Sequence, residues 1–197
     1  MTTYTHKLEF YRLDASARVR TLRRADAAHA TMDDPAISVM TDLRQVRAVT
    51  VNPDAGIDFA LDLMKHAGVR MLVVVDDQQG LLGLVTARDI TGEKPMEVMT
   101  RERLTRRELR VAQVMTPRSQ IDPFNIRDVE HATVRDVVLK MRHVGRQHAL
   151  VIERQDDDGD YLVRGIFSIT QIGRQLGVEI STAGHVQTFA DFERLIA

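Results

Sequence analysis

Apolar residues at Ile57, Ala60, Leu61 and Met64 fall at i, i+3, i+4 and i+7, and Val134, Val137, Val138 and Met141 repeat the spacing. Such a stripe marks one buried face of an amphipathic helix. A glycine follows each helix, Gly68 and Gly145, where a left-handed C-cap is wanted. The apolar runs 71–75 and 148–152 come next and read as buried strands. After the first of them, a turn at 76–80 and the pair Leu81 and Leu82 lead into Gly83-Leu-Val-Thr-Ala-Arg-Asp89. This stretch predicts a strand-to-helix turn, with a helix beginning near Ile90.

The second half of the chain repeats the order. Gly165-Ile-Phe-Ser-Ile-Thr-Gln171 answers 83–89, and Val39-Met40-Thr41 recurs as Val114-Met115-Thr116. Two copies of helix, strand, hairpin and helix make an internal duplication. Val98-Met99-Thr100 has no domain behind it and reads as a chance match.

The chemistry of the first copy is a hydroxyl and a carboxylate three residues apart. Thr86 suits a helix N-cap, and Asp89 can close a capping box with it. The same carboxylate can accept two hydrogen bonds from a vicinal diol, and free N–H groups at the turn suit an anion. Ribose with phosphate offers both features. In the second copy Ser168 keeps the hydroxyl, but Gln171 replaces the carboxylate. Losing the charge weakens a hydroxyl contact by about 1–2 kcal/mol. Two unequal sites are therefore expected, with Thr86/Asp89 the principal one.

In this order and twice over, the motifs resemble a tandem pair of CBS domains, named after cystathionine beta-synthase. The motifs are the Val-Met-Thr start, the amphipathic helix ending in glycine, the Val73-Val-Val-Asp76 strand and Gly83-x-x-Thr86-x-x-Asp89. Val73 departs from the Leu-Pro that the family often carries. The resemblance implies an α/β (α+β) fold of two β-α-β-β-α repeats related by a pseudo-two-fold axis. It also implies clefts that take adenosine-containing ligands and the pairing of two chains into a disc. The expected divisions are an N-terminal extension (1–36), repeat 1 (37–92), a charged linker (93–110), repeat 2 (111–178) and a C-terminal extension (179–197).

Carried onto this sequence, the resemblance puts Asp89 on the ribose hydroxyls and Thr86 on ribose or phosphate. Arg88 and Arg70 would face phosphate, a guanidinium fork matching its geometry. Val51 and Leu72 would sandwich adenine. Thr50 and Asn52 sit where the first strand meets the helix, either facing the ligand or serving only as turn residues. Arg146 and His148 flank the second copy's strand, and His148 matches a position that often carries His near the ligand.

Composition narrows the alternatives. The 197 residues carry a net charge of −1, 44% hydrophobic residues and no cysteine. The charge gives no global field for a polyanion. The polar N-terminus and the lack of a long apolar run suggest a cytoplasmic protein with no membrane contact. His143 and His148 lack a third ligand at metal spacing. The acidic run 156–160 places Tyr161 and Phe167 where a calcium loop needs Gly and Glu, and reads instead as an enlarged hairpin turn. No nucleophile–base set or phosphate-binding loop is visible, so neither catalysis nor a required cofactor is expected.

Outside the repeats, Leu8, Phe10 and Leu13 suggest a strand or clip. Asp34-Pro35 predicts a capped short helix over 35–42, Thr50 and Val51 close a strand over 48–51, and Pro95 with Met96 and Met99 predicts a linker helix. Phe189, Phe192, Leu195 and Ile196 form one face of a C-terminal helix opened by Thr188 and Asp191. The basic groups at Arg18, Arg20, Arg23 and Arg24 and at Arg101, Arg103, Arg106, Arg107 and Arg110 are diluted by acids and read as solvated faces rather than nucleic-acid contacts. The expected function is a regulatory sensor for AMP, ADP or ATP, with S-adenosylmethionine a possible competitor. The alternative is a ligand-free dimerisation scaffold that recruits a protein partner.

Overall fold

A computed structural model describes residues 30–155, 160–178 and 180. The N-terminal clip, the first basic group, most of the acidic turn and the C-terminal helix lie outside the described residues.

Strands β1 (Thr41–Asp42) and β2 (Thr50–Val51) precede helix α1 (Ile57–Ala67). The hairpin β3 (Met71–Val75) and β4 (Leu81–Thr86) follows, then α2 (Ala87–Thr91), α3 (Lys94–Glu102) and α4 (Val111–Val114). The second half runs β5 (Thr116–Pro117), β6 (Phe124–Asn125), α5 (Ile126–Val129), α6 (Val134–His143), β7 (His148–Arg154), β8 (Tyr161–Ser168) and α7 (Ile169–Leu176). The strands form two four-stranded sheets, ordered β2-β3-β4-β5 and β1-β8-β7-β6. In each, one short parallel pair (β2/β3, β6/β7) joins antiparallel ones.

The leading strands change places. β5 opens the second repeat yet pairs with β4, Gly83 opposite Pro117 and Leu84 opposite Thr116. β1 opens the first repeat yet pairs with β8, Thr41 opposite Ile166 and Asp42 opposite Gly165. Each Val-Met-Thr segment thus completes the sheet of the other half. β1 is further fastened by charge. The Arg164 guanidinium donates to Asp42 and lies 3.4 Å from Glu153, and Arg44 donates to both Glu153 oxygens at 2.8 Å. The Arg44 N–H on Asp42, with Arg164 beside it, holds the Asp42 carboxyl below its ordinary range.

Packing follows the helical stripes. Ile57, Ala60 and Met64 are buried against the first sheet, and Val134, Val137, Val138 and Met141 against the second. Gly68 and Gly145 each take φ of 67°, the left-handed closure expected of them. All five residues of β3 are buried. Leu72 and Val74 face the first core, while Met71 and Val73 pack with Leu84 and with Leu150 of β7. This third cluster joins the two halves.

Several local expectations are corrected. The segment after Asp34 is a 3-10 turn, Ala36–Val39, without a side-chain cap. Pro35 is extended because it bridges to Thr133, and Asp34 instead accepts the Thr31 N–H at 2.7 Å. The first strand is confined to Thr50–Val51. α2 begins at Ala87, three residues before Ile90, because Thr86 and Asp89 close a full capping box. In α3 the buried residues are Pro95 and Val98, while Met96 points to solvent at 63% exposure.

A second capping box starts α6. Thr133 Oγ1 accepts the Asp136 N–H at 3.3 Å, and Asp136 accepts the Thr133 N–H and O–H at 2.9 and 2.7 Å. Thr133→Ala is expected to remove about 1 kcal/mol of stability. Urea unfolding at neutral pH checks this, and the midpoint should fall with an unchanged slope.

Candidate ligand-binding cleft

The end of β4 and the start of β7 face each other across a cavity of about 220 Å³. Its wall is drawn from separate stretches of the chain. β4 and α2 supply Leu84, Thr86, Arg88 and Asp89; exchanged strand β5 supplies Thr116; the following loop supplies Ile121; and 145–150 close the far side. The strand exchange therefore builds the cleft, since without β5 the Thr86 side would have no Thr116 beside it.

At the centre is the Asp89 carboxylate, partly buried. Its Oδ2 accepts the Thr86 N–H at 2.8 Å and the Thr86 O–H at 2.7 Å, while Thr86 Oγ1 accepts the Asp89 N–H at 3.3 Å. Its Oδ1 accepts from Lys94 Nζ at 3.3 Å. Lys94 also donates to the Met115 carbonyl at 3.2 Å, just before β5. Asp89 is thus held firmly, with three donors on a group that offers about four acceptor positions.

His148 lines the same cavity. Its Nδ1 is buried without a hydrogen-bond partner among the described residues. Burial, reinforced by the Arg70 charge and opposed by Asp89, depresses its pKa to about 4. The ring is therefore neutral near pH 7 and can donate or accept a hydrogen bond in the cleft.

Of the residues singled out in the sequence, Thr86, Arg88, Asp89, Arg146 and His148 come together here. Arg88 is exposed, with no recorded partner among the described residues. Arg146 is already engaged, donating to Asp122 Oδ2 at 2.6 Å and to the Gln120 carbonyl at 3.3 Å. Arg70 is exposed outside the lining. Its carbonyl accepts the Ala87 N–H at 2.9 Å, and its charge reaches His148.

Val51 and Leu72 do not line the cavity. Leu72 has no exposed surface and Val51 keeps 5%, both packed in the first core. The apolar surface facing the cavity is instead Leu84, Ile121, Ala149 and Leu150. Thr50 pairs with Val73 in the sheet. Asn52 acts as a turn residue, its Oδ1 accepting the Asp54 N–H at 2.9 Å. Neither reaches the cleft.

The second copy is built differently. Ser168 makes no capping bond, and Gln171 Oε1 accepts the Thr41 hydroxyl at 3.2 Å. Thr41 stands where Thr116 stands in the first copy, so the exchanged strand occupies the group that would face a ligand. Among the described residues no group of three His, Cys, Asp or Glu could hold a metal ion, and no helix is long and apolar enough to cross a membrane.

Sequence reasoning missed Lys94, Ile121, Leu84 and Leu150. Thr116 was visible as part of the repeated Val-Met-Thr motif, though not as a wall of this cleft. Lys94 carried no signal, because its contact with Asp89 depends on how α2 turns into α3.

Comparison with known proteins agrees with this architecture. Residues 36–94 match the family model of the CBS domain. An uncharacterized protein of Methanopyrus kandleri is 36% identical over 64 residues, 32% of this chain and 33% of that one, so the match spans about a third of the relative's length. An uncharacterized conserved protein from Pyrococcus horikoshii has a similar structure, with a TM-score of 0.53 at 22% identity over 77% of this chain and 98% of its own. CBSX2 from Arabidopsis thaliana, solved in complex with AMP, aligns with a TM-score of 0.49 at 21% identity over 72% of this chain and 94% of its own. Residues 36–94 thus carry the CBS-domain match. The second copy, with its own four-stranded sheet and helices, repeats that arrangement in the fold.

Proposed function

We propose that this cleft binds an adenosine-containing ligand, AMP, ADP or ATP, and that the protein is a regulatory module rather than an enzyme. The observation that carries the reading is the fixed Asp89 carboxylate, opening onto a cavity walled by both halves of the chain. Its remaining acceptor capacity suits a ribose hydroxyl. Leu84, Ile121, Ala149 and Leu150 offer an apolar seat for the base, and neutral His148 an unfilled polar group beside it. The exposed Arg88 guanidinium suits a phosphate. A ligand touching both β4 and β7 biases the arrangement of the two halves as far as its affinity differs between arrangements.

The test is a thermal-shift panel of AMP, ADP, ATP and S-adenosylmethionine on wild type and Asp89→Asn, which leaves an oxygen for the Thr86 cap. A ligand at 100 times its dissociation constant stabilises by about 2.7 kcal/mol, several degrees of melting shift. Asp89→Asn should weaken binding about tenfold. A wild type that none of the four shifts would overturn the reading in favour of a ligand-free scaffold.

A further inference from the structure

Lys94 stands behind the cleft lining, on the Asp89 carboxylate, and the nucleotide reading leaves it unexplained. It is the first residue of α3, and its side chain is 39% exposed. Its ammonium joins two groups that belong to different parts of the fold, Asp89 Oδ1 and the Met115 carbonyl. Both acceptor positions of Asp89 Oδ2 are taken by Thr86. A diol that donates both hydroxyls to Asp89 must therefore use Oδ1 for both, and one of those positions is held by Lys94.

The second copy carries neither charge at the matching sequence spacing. Five residues beyond Gln171, where a lysine would correspond to Lys94, stands Leu176, packed against the second core. The copy that lacks the carboxylate also lacks the ammonium.

Resting on the reading that the cleft takes a nucleoside, we propose that Lys94 is its selectivity residue: it holds Asp89 until a diol displaces it, and the released ammonium then favours phosphate-bearing nucleosides over neutral or cationic ones. A neutral nucleoside takes Lys94 away from its carboxylate and returns nothing to it. A phosphate returns a new anionic partner, within reach of a four-carbon stem that turns freely. A sulfonium adds a second cation beside a freed one. Arg88 at the mouth acts in the same direction.

The experiment is isothermal titration of AMP, adenosine and S-adenosylmethionine into wild type and Lys94→Met, which keeps the length and apolar stem of the side chain. Melting temperatures of both ligand-free proteins are read alongside, and Lys94→Arg serves as the conservative variant. Wild type should prefer AMP to adenosine. In Lys94→Met that preference should shrink about tenfold, with adenosine binding more tightly and AMP less so, while Lys94→Arg retains most of it. If Lys94→Met changes both affinities by the same factor, Lys94 merely supports the site and the proposal is overturned while the nucleotide reading stands. If wild type binds none of the three, the nucleotide reading itself falls.

Discussion

Gly83→Ala is expected to lower folding stability by about 3 kcal/mol, whereas Gly165→Ala should cost about 1 kcal/mol or less. Both glycines sit where an exchanged strand crosses the other half's sheet, so sequence alone gives them equal standing. What differs is the neighbour. A Cβ on Gly83 would run into the Thr116 carbonyl oxygen and come within 3.3 Å of Pro117 Cα and 3.2 Å of Met115 Sδ. Two of those three are backbone, held by the β4/β5 ladder, and the proline ring stiffens it further. Relief requires β5 to move. The three atoms nearest a Cβ on Gly165 all belong to the Met40 side chain, its Sδ closest, then its Cγ at 2.8 Å and its methyl at 2.9 Å. Methionine has three rotatable bonds and can swing aside. Paired urea titrations check the contrast. Equal losses in the two variants would mean that β5 is not held against Gly83 as described. Because Thr116 lines the cleft, Gly83→Ala should also lose whatever ligand response wild type shows, and Gly165→Ala should keep it.

That contrast marks where the sequence was legible. The helical stripes and their closing glycines could be read because each is a periodic signal over a dozen residues, enforced by one buried face. The capping pair could be read because it is local. The exchange of Thr41 and Thr116 could not, since a two-residue strand has no period and its partner is set by the packing of the whole pair. Leu72 was misplaced for a related reason. A run in which every residue is apolar, Met71–Val75, carries no alternation to say which face meets which core. Both faces are in fact buried, one in the first core and one between the halves. Thr86, Asp89 and His148 were legible from their place in the repeat. Ile121 was not, because it enters the cleft from a connection that the repeat does not fix, and neither was Lys94, which reaches Asp89 from the start of α3.

His148 gives the other large effect, a loss of stability on mild acidification. Its ring is neutral in the folded protein down to about pH 4, against an ordinary value of 6.5, because burial and the Arg70 charge disfavour the imidazolium more than Asp89 favours it. Above pH 6.5 the group is neutral both folded and unfolded and contributes no pH dependence. Between 6.5 and 4 the unfolded chain binds a proton that the folded chain refuses, so stability falls as pH falls. Below 4 both states are protonated and this contribution levels off. The whole window is worth about 3 kcal/mol. Asp42, Asp62, Asp136, Glu102 and Glu108, all lowered by hydrogen bonds to their carboxylates, add their losses from about pH 5 downward. The His148 loss therefore begins first, and the carboxylate losses join it only at the acid end of its window. Urea unfolding of wild type between pH 7 and 4 should show a steady decline that His148→Gln largely abolishes, while the steeper loss below pH 4 persists in both. A decline of the same size in His148→Gln would place the responsible group elsewhere. An anionic ligand bound beside the ring would favour its protonated form, so it should raise the pKa of His148 and shrink the wild-type decline, which would then level off at a higher pH.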